Sequence, residues 1–257
     1  LKYIHNFYSS MNGFEKPLFL LLAFFPISLI VGNLFINLTF FIIALIFIID
    51  LLVNKNLSFL KDMVFWIPGI FFFTLLINVL FSMDPSNSLP RVLKVLIMIP
   101  FVIQVKMLIC KYPAQIEKIV FGFWSFILFI VFLDVVFEII FGFNTLGFRS
   151  PITMPSRIAS FFGDELVVGS FFSLFSVIFV TYFLKFYGHL LKTNTLIIFI
   201  LIVTSFLIGE RSNFIKYFIS ISFIYFFILQ INLKKKIFVS VLLFIFLSLL
   251  ITFNSGA

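Results

Sequence analysis

Apolar residues along this chain come in long unbroken runs, with short polar interruptions between them. Each run is close to the roughly 20 residues that a helix needs to cross the hydrocarbon layer of a bilayer, about 30 Å thick. Taken in order, the runs predict nine crossings at about 18–31, 35–53, 63–81, 92–109, 119–141, 166–186, 196–208, 213–231 and 237–253. The first is expected to be kinked or interrupted near Pro26. No run alternates apolar and polar residues at a period of two, which argues against a β-barrel. The expected fold is an all-α polytopic transmembrane bundle, residues 1–257 forming one integral membrane domain. No internal repeat and no water-soluble domain is visible.

The longest interruption, residues 147–170, lies between the fifth and sixth runs and carries Arg149, Arg157, Asp164 and Glu165. A guanidinium fork bonds phosphate oxygens in a planar, two-pronged way that Lys does not reproduce, so Arg149 and Arg157 read as an anion clamp. The plainer alternative, a solvated loop whose arginines touch lipid headgroups, stays open.

Composition agrees with the membrane class: the chain is 63% hydrophobic and 11% charged, with 44 phenylalanines in 257 residues and a mean hydropathy of +1.26. Cys110 is the only cysteine, so no internal disulfide forms. The chain begins at Leu1 and ends directly after an apolar run, and a fragment of a longer protein is expected. The net charge of +8 is unevenly laid out. Lys2, Lys16, Lys55, Lys61, Lys106, Lys111, Lys118, Lys185, Lys192 and the run Lys234 to Lys236 fall at one end of the predicted bundle, which the enrichment of basic residues in cytoplasmic loops makes the inner end. All four arginines, Arg91, Arg149, Arg157 and Arg211, fall at the other end. Lys94 and Lys216 lie within crossings near that outer end and can snorkel outward.

Two further groups of charges stand out. Asp134 and Glu138 are four apart on the fifth predicted helix and so share a face; ionisable groups at that depth turn inward and find partners, for which Lys94 or Arg91 would serve. A structural ion pair and a catalytic carboxylate are both compatible with this spacing. The turn Ile208-Gly209-Glu210-Arg211-Ser212-Asn213-Phe214 between the seventh and eighth helices is short enough to deliver Arg211 to the outer face, with Glu210 orienting it or acting as a base. A helix-capping turn with a local ion pair is the competing reading.

The segment from Arg157 through Ile158-Ala159-Ser160-Phe161-Phe162-Gly163-Asp164-Glu165 to Gly169-Ser170, running into a helix, and Gly209-Glu210-Arg211-Ser212 at the outer end of a later one, are similar in order and spacing to bacterial O-antigen ligases and O-antigen polymerases. Ser82-Met83-Asp84-Pro85, with Ser88-Leu89, is a weaker echo. The resemblance implies a membrane glycosyltransferase of surface polysaccharide assembly in the bacterial inner membrane, ligating or polymerising undecaprenyl-diphosphate-linked oligosaccharide on its periplasmic face without metal or cofactor. Arg149, Arg157, Arg211 and Arg91 are then expected to hold the donor diphosphate, with Glu210 and Glu165 as candidate catalytic carboxylates. The acceptor is a glycan or lipid A core, and the bilayer is the remaining partner; no nucleic acid is expected. The resemblance implies that the family's large outer loop, with the histidine proposed as base, comes beyond Ala257; His5 and His189 map to the inner side and do not replace it. A transporter or flippase of an anionic lipid-linked sugar is the alternative, disfavoured by helix centres that are nearly free of charge.

Overall fold

The computed structural model describes residues 7–9, 11–55, 58–149, 157–165, 167–187, 191–228, 237 and 241. Among them the protein is all helical, with no strand. In chain order the main helices are α1 (Glu15–Ala23), α2 (Phe25–Val31), α3 (Asn33–Asn54), α4 (Met63–Leu80), α5 (Pro85–Lys111), α6 (Gly122–Phe141), α7 (Val168–Tyr187), α8 (Leu191–Leu207) and α9 (Arg211–Ile228). Five stretches are long and apolar enough to cross a membrane: α3, α4, α5, the run Pro113–Phe141 that ends in α6, and Val168–Phe186 within α7. This is a helical membrane protein. Of the expected ninth crossing, all but residues 237 and 241 lie outside the described residues.

Residue contacts divide the chain into two compact units, Leu1–Ile127 and Leu128–Ala257, with the boundary inside α6. In the first unit the predicted interruption near Pro26 is real and has a specific cause, and the two helices it leaves, of 9 and 7 residues, are not among the five spanning stretches. Pro26 has no N–H, so the carbonyl of Leu22 loses its helical donor, and the helix breaks at Phe24 into α1 and α2. The Trp124 indole N–H satisfies the freed carbonyls, at 3.0 Å from Leu22 O and 3.1 Å from Ala23 O. That bond ties α6 to the break, and Trp124 is itself buried, its ring 6.4 Å from that of Phe25.

The helix α5 is longer than the apolar run that predicts it. Residues 82–91 read as a turn-rich loop, yet α5 already starts at Pro85. Asp84 is its N-cap, accepting from Asn87 N at 3.2 Å, and Pro85 occupies the first turn, where a missing N–H costs nothing. The turn-like residues are thus a helix start, and Arg91 stands exposed on the second turn of α5 instead of in a loop. Asp62 caps α4 in the same manner, bonding Val64 N at 3.0 Å. It also pairs with Lys106 of α5, and Lys111 pairs with Glu15 of α1. The Lys106 and Val64 hydrogen bonds hold the Asp62 carboxyl below the usual aspartate range.

In the second unit α7 packs against both α8 and α9. Buried Phe171, Phe172, Phe175, Tyr217 and Ile221 fill these interfaces. α8 begins at Leu191, so the expected link from Lys185 to Thr195 is shorter than predicted and Lys192 is helical.

Candidate functional site

One end of the second unit gathers three connections: residues 142–149 after α6, residues 157–165 with the adjoining start of α7, and the turn 208–210 before α9. Three buried carboxylates hold them. Asp134 is 1% exposed, Glu138 2% and Glu210 7%. Burying a carboxylate is affordable only where hydrogen bonds replace water, and each has several.

Asp134 and Glu138 share a face of α6 as their spacing predicts, but their partners come from loop backbone and hydroxyls. Glu138 accepts from two successive amides, Ala159 N at 3.0 Å and Ser160 N at 2.6 Å. Asp134 receives Thr145 N at 2.9 Å and Thr145 Oγ1 at 2.6 Å on one oxygen, and Ser160 Oγ at 2.7 Å on the other. Lys94 and Arg91, the partners expected from sequence, belong to the first unit. Ser160 is held at every polar atom, because its carbonyl also accepts from the Asn144 amide. This grip keeps it fully buried at a φ of +45°, a left-handed conformation that a residue with a Cβ rarely adopts.

Asn144 organises the first loop. Its side-chain oxygen accepts from Leu146 N at 3.0 Å and Phe148 N at 2.7 Å, while its backbone N–H donates to Phe148 O at 2.8 Å. The resulting tight turn carries Arg149 out of the loop as an exposed side chain.

At the start of α7, the Gly169 N–H is one of the amides that a helix leaves without an internal partner. Glu210 accepts it at 3.0 Å, a favourable place for negative charge. The Asn213 amide donates both to Glu210 and, at 2.8 Å, to Ser170 Oγ. The approach is so close that only glycine fits: a Cβ on residue 169 would lie 2.7 Å from the Glu210 carboxyl carbon and 2.9 Å from its Cβ. Gly209, at φ +85°, makes the reversal that returns the chain into α9.

A single backbone bond joins the segments next to two of the predicted site residues. Ile158 N donates to Ile208 O at 3.2 Å, so the segment that begins with Arg157 lies against the turn that ends in Arg211. Arg157 is half-buried, and Arg211, the first residue of α9, is exposed. A cation at a helix N-terminus works against the helix dipole, so Arg211 is placed there at a cost. Among the described residues no Asp or Glu pairs with Arg149 or Arg157. Two arginines that have no carboxylate partner among the described residues are suited to an anion.

Of the two candidate catalytic carboxylates, Glu210 is a buried brace between α7 and α9. Glu165 ends the 3₁₀ turn Ser160–Glu165, with its side chain outside the described residues. Ser160, Gly169 and Asn213 stand in the sequence only as members of longer motifs, with no role of their own. For Asn144 and Thr145 the signal is their polar character between Gly142 and Gly147, a turn signature. Comparison of the chain with protein-family models, with curated proteins and with solved structures returned no match.

Proposed function

We propose that this protein is a membrane glycosyltransferase of surface polysaccharide assembly, whose second unit binds the diphosphate of an undecaprenyl-linked oligosaccharide through Arg149, Arg157 and Arg211. The observation that carries the reading is the bond from Ile158 N to Ile208 O, which sets the Arg157 segment beside the Arg211 turn. The bracing of the Arg149 loop by Asp134 and Asn144 supports it. In the proposed reaction a hydroxyl oxygen of the acceptor attacks the anomeric carbon of the donor sugar. The bond from that carbon to the diphosphate oxygen breaks, and its electron pair leaves on the diphosphate. The hydroxyl proton passes to a base, for which Glu165 is the candidate. Arginines fixed in advance stabilise the charge that develops on the leaving diphosphate. Glu210 acts through Arg211 and the α7 start as a positioning residue. The acceptor is a glycan or lipid A core, and the setting is the bacterial inner membrane with nine crossings and the arginine end facing the periplasm.

Arginine geometry is the test. If the guanidiniums grip the diphosphate in two-pronged fashion, Arg157→Lys in the full chain costs nearly as much as Arg157→Ala. Both are expected to lower glycan transfer from a purified lipid-linked donor by on the order of 100-fold, at unchanged protein abundance. Transfer at the unmodified rate in both variants would overturn the clamp. Donor that crosses the membrane with its glycan unchanged would instead favour the transport reading.

A further inference from the structure

The first unit contains a cavity of about 370 Å³ between α1, α3 and α5 at the lysine-bearing end. Asn12, Glu15, Asp50, Asn54, Gln104 and Lys111 supply its polar lining. Leu18, Ile46 and Leu108 contribute apolar wall.

Two features of this lining are incomplete. Glu15 is compensated: it accepts from Lys111, from Tyr112 Oη at 2.9 Å and from Asn12 N at 3.0 Å. Asp50 is not. It is half-buried, and among the described residues it accepts from the Asn54 amide and pairs with no Lys or Arg. It also stands in the last turns of α3, where the helix dipole is itself negative, so its charge is doubly unfavourable. Its carboxylate is open to a cation. The second feature is Gln104, which is 5% exposed and whose Nε2 has no hydrogen-bond partner. An amide buried without a partner is destabilising, and an oxygen acceptor would satisfy it. Gln104 lies two helical turns from Lys111, about 10 Å deeper along α5.

We propose that this cavity binds the headgroup of a phospholipid carrying a primary ammonium. The ammonium donates to Asp50, and a phosphate or glycerol-ester oxygen accepts from Gln104 Nε2, within reach of Lys111. A lipid is favoured over a free solute because α3 and α5 are both membrane-spanning in length and composition and the cavity lies where they end. Its mixed polar and apolar wall matches the boundary between headgroup and acyl chain.

The test uses the full chain reconstituted in nanodiscs of phosphatidylethanolamine and phosphatidylcholine in equal amounts, with retained lipid counted by native mass spectrometry. Phosphatidylethanolamine is expected to be retained about tenfold over phosphatidylcholine, whose quaternary ammonium has no N–H for Asp50, the worth of one charge-assisted hydrogen bond. Asp50→Asn, nearly the same in shape, removes the preference, and Gln104→Met weakens retention of both lipids. If Asp50→Asn does not fold, as judged by thermal melting, Gln104→Met alone carries the test. Equal retention of the two lipids by the unmodified chain, or unchanged retention in the variants, would overturn the proposal. Displacement of the lipid by millimolar phosphoethanolamine would do so too, because the site would then belong to a soluble amine.

Discussion

Replacing Gly169 by alanine sets two effects of opposite sign against each other. Helix propensity alone favours alanine by at most about 1 kcal/mol in the first turn of α7. Against that, the new methyl would sit 2.7 Å from the carboxyl carbon and Oε2 of Glu210, and 2.9 Å from its Cβ. Glu210 has little freedom to retreat, since it is buried and bonded to Asn213 as well as to the Gly169 N–H. Moving it forfeits a hydrogen bond to a charged acceptor, about 1.5–3 kcal/mol, and crowding a packed interface adds about 1–3 kcal/mol. The net expectation is a loss of about 3 kcal/mol. For a chain of this size that is a fall in melting temperature of roughly 6–12 °C, measured by circular dichroism on the full protein in detergent. Shortening the carboxylate in the double variant Gly169→Ala, Glu210→Asp should recover part of the loss, a non-additivity that only direct contact produces. A Gly169→Ala protein that melts at or above the parent temperature would refute the close approach and leave helix propensity as the governing term.

Ser160 offers a comparable contest: Ser160→Ala keeps the strained left-handed backbone and loses the bond to Asp134, whereas Ser160→Gly loses the bond but relieves strain of about 1 kcal/mol. Glycine should therefore melt higher than alanine, and the reverse order would remove strain from the account. Glu138→Gln presents an amide donor to one of two backbone N–H groups, and is expected to cost about 2–3 kcal/mol and to open residues 157–165 to protease. For the pair of Asp62 with Lys106, the lowered carboxyl means that its contribution is present above the ordinary aspartate range and fades as pH falls through the lowered value. Lys106→Met should accordingly lower the melting temperature at pH 7 and leave it unchanged once Asp62 is protonated. Orientation is checked in a Cys110→Ser background, where a membrane-impermeant thiol reagent applied from outside should label Asn87→Cys and spare Ala114→Cys.

Much of this protein was legible in the linear order of its residues. Runs of Phe, Ile, Leu and Val at bilayer length dictate helices, because a backbone in hydrocarbon must bond to itself. Pro26 announced the break between α1 and α2 for an equally local reason, the loss of one N–H. The spacing of Asp134 and Glu138 correctly placed them on one face. What they bond was settled only in three dimensions: their partners, Ala159, Ser160 and Thr145, lie on connections up to 26 residues away, and helical periodicity says nothing about where a loop returns. The start of α5 was misread because Pro85, Ser86 and Asn87 serve a turn and a helix N-terminus equally well until the Asp84 cap is seen. Gly169 looked like any glycine before a helix, since its need for a bare Cα comes from Glu210, 41 residues on. The contact of the Arg157 segment with the Arg211 turn rests on one backbone bond, and backbone amides carry no signature of their partners in the sequence.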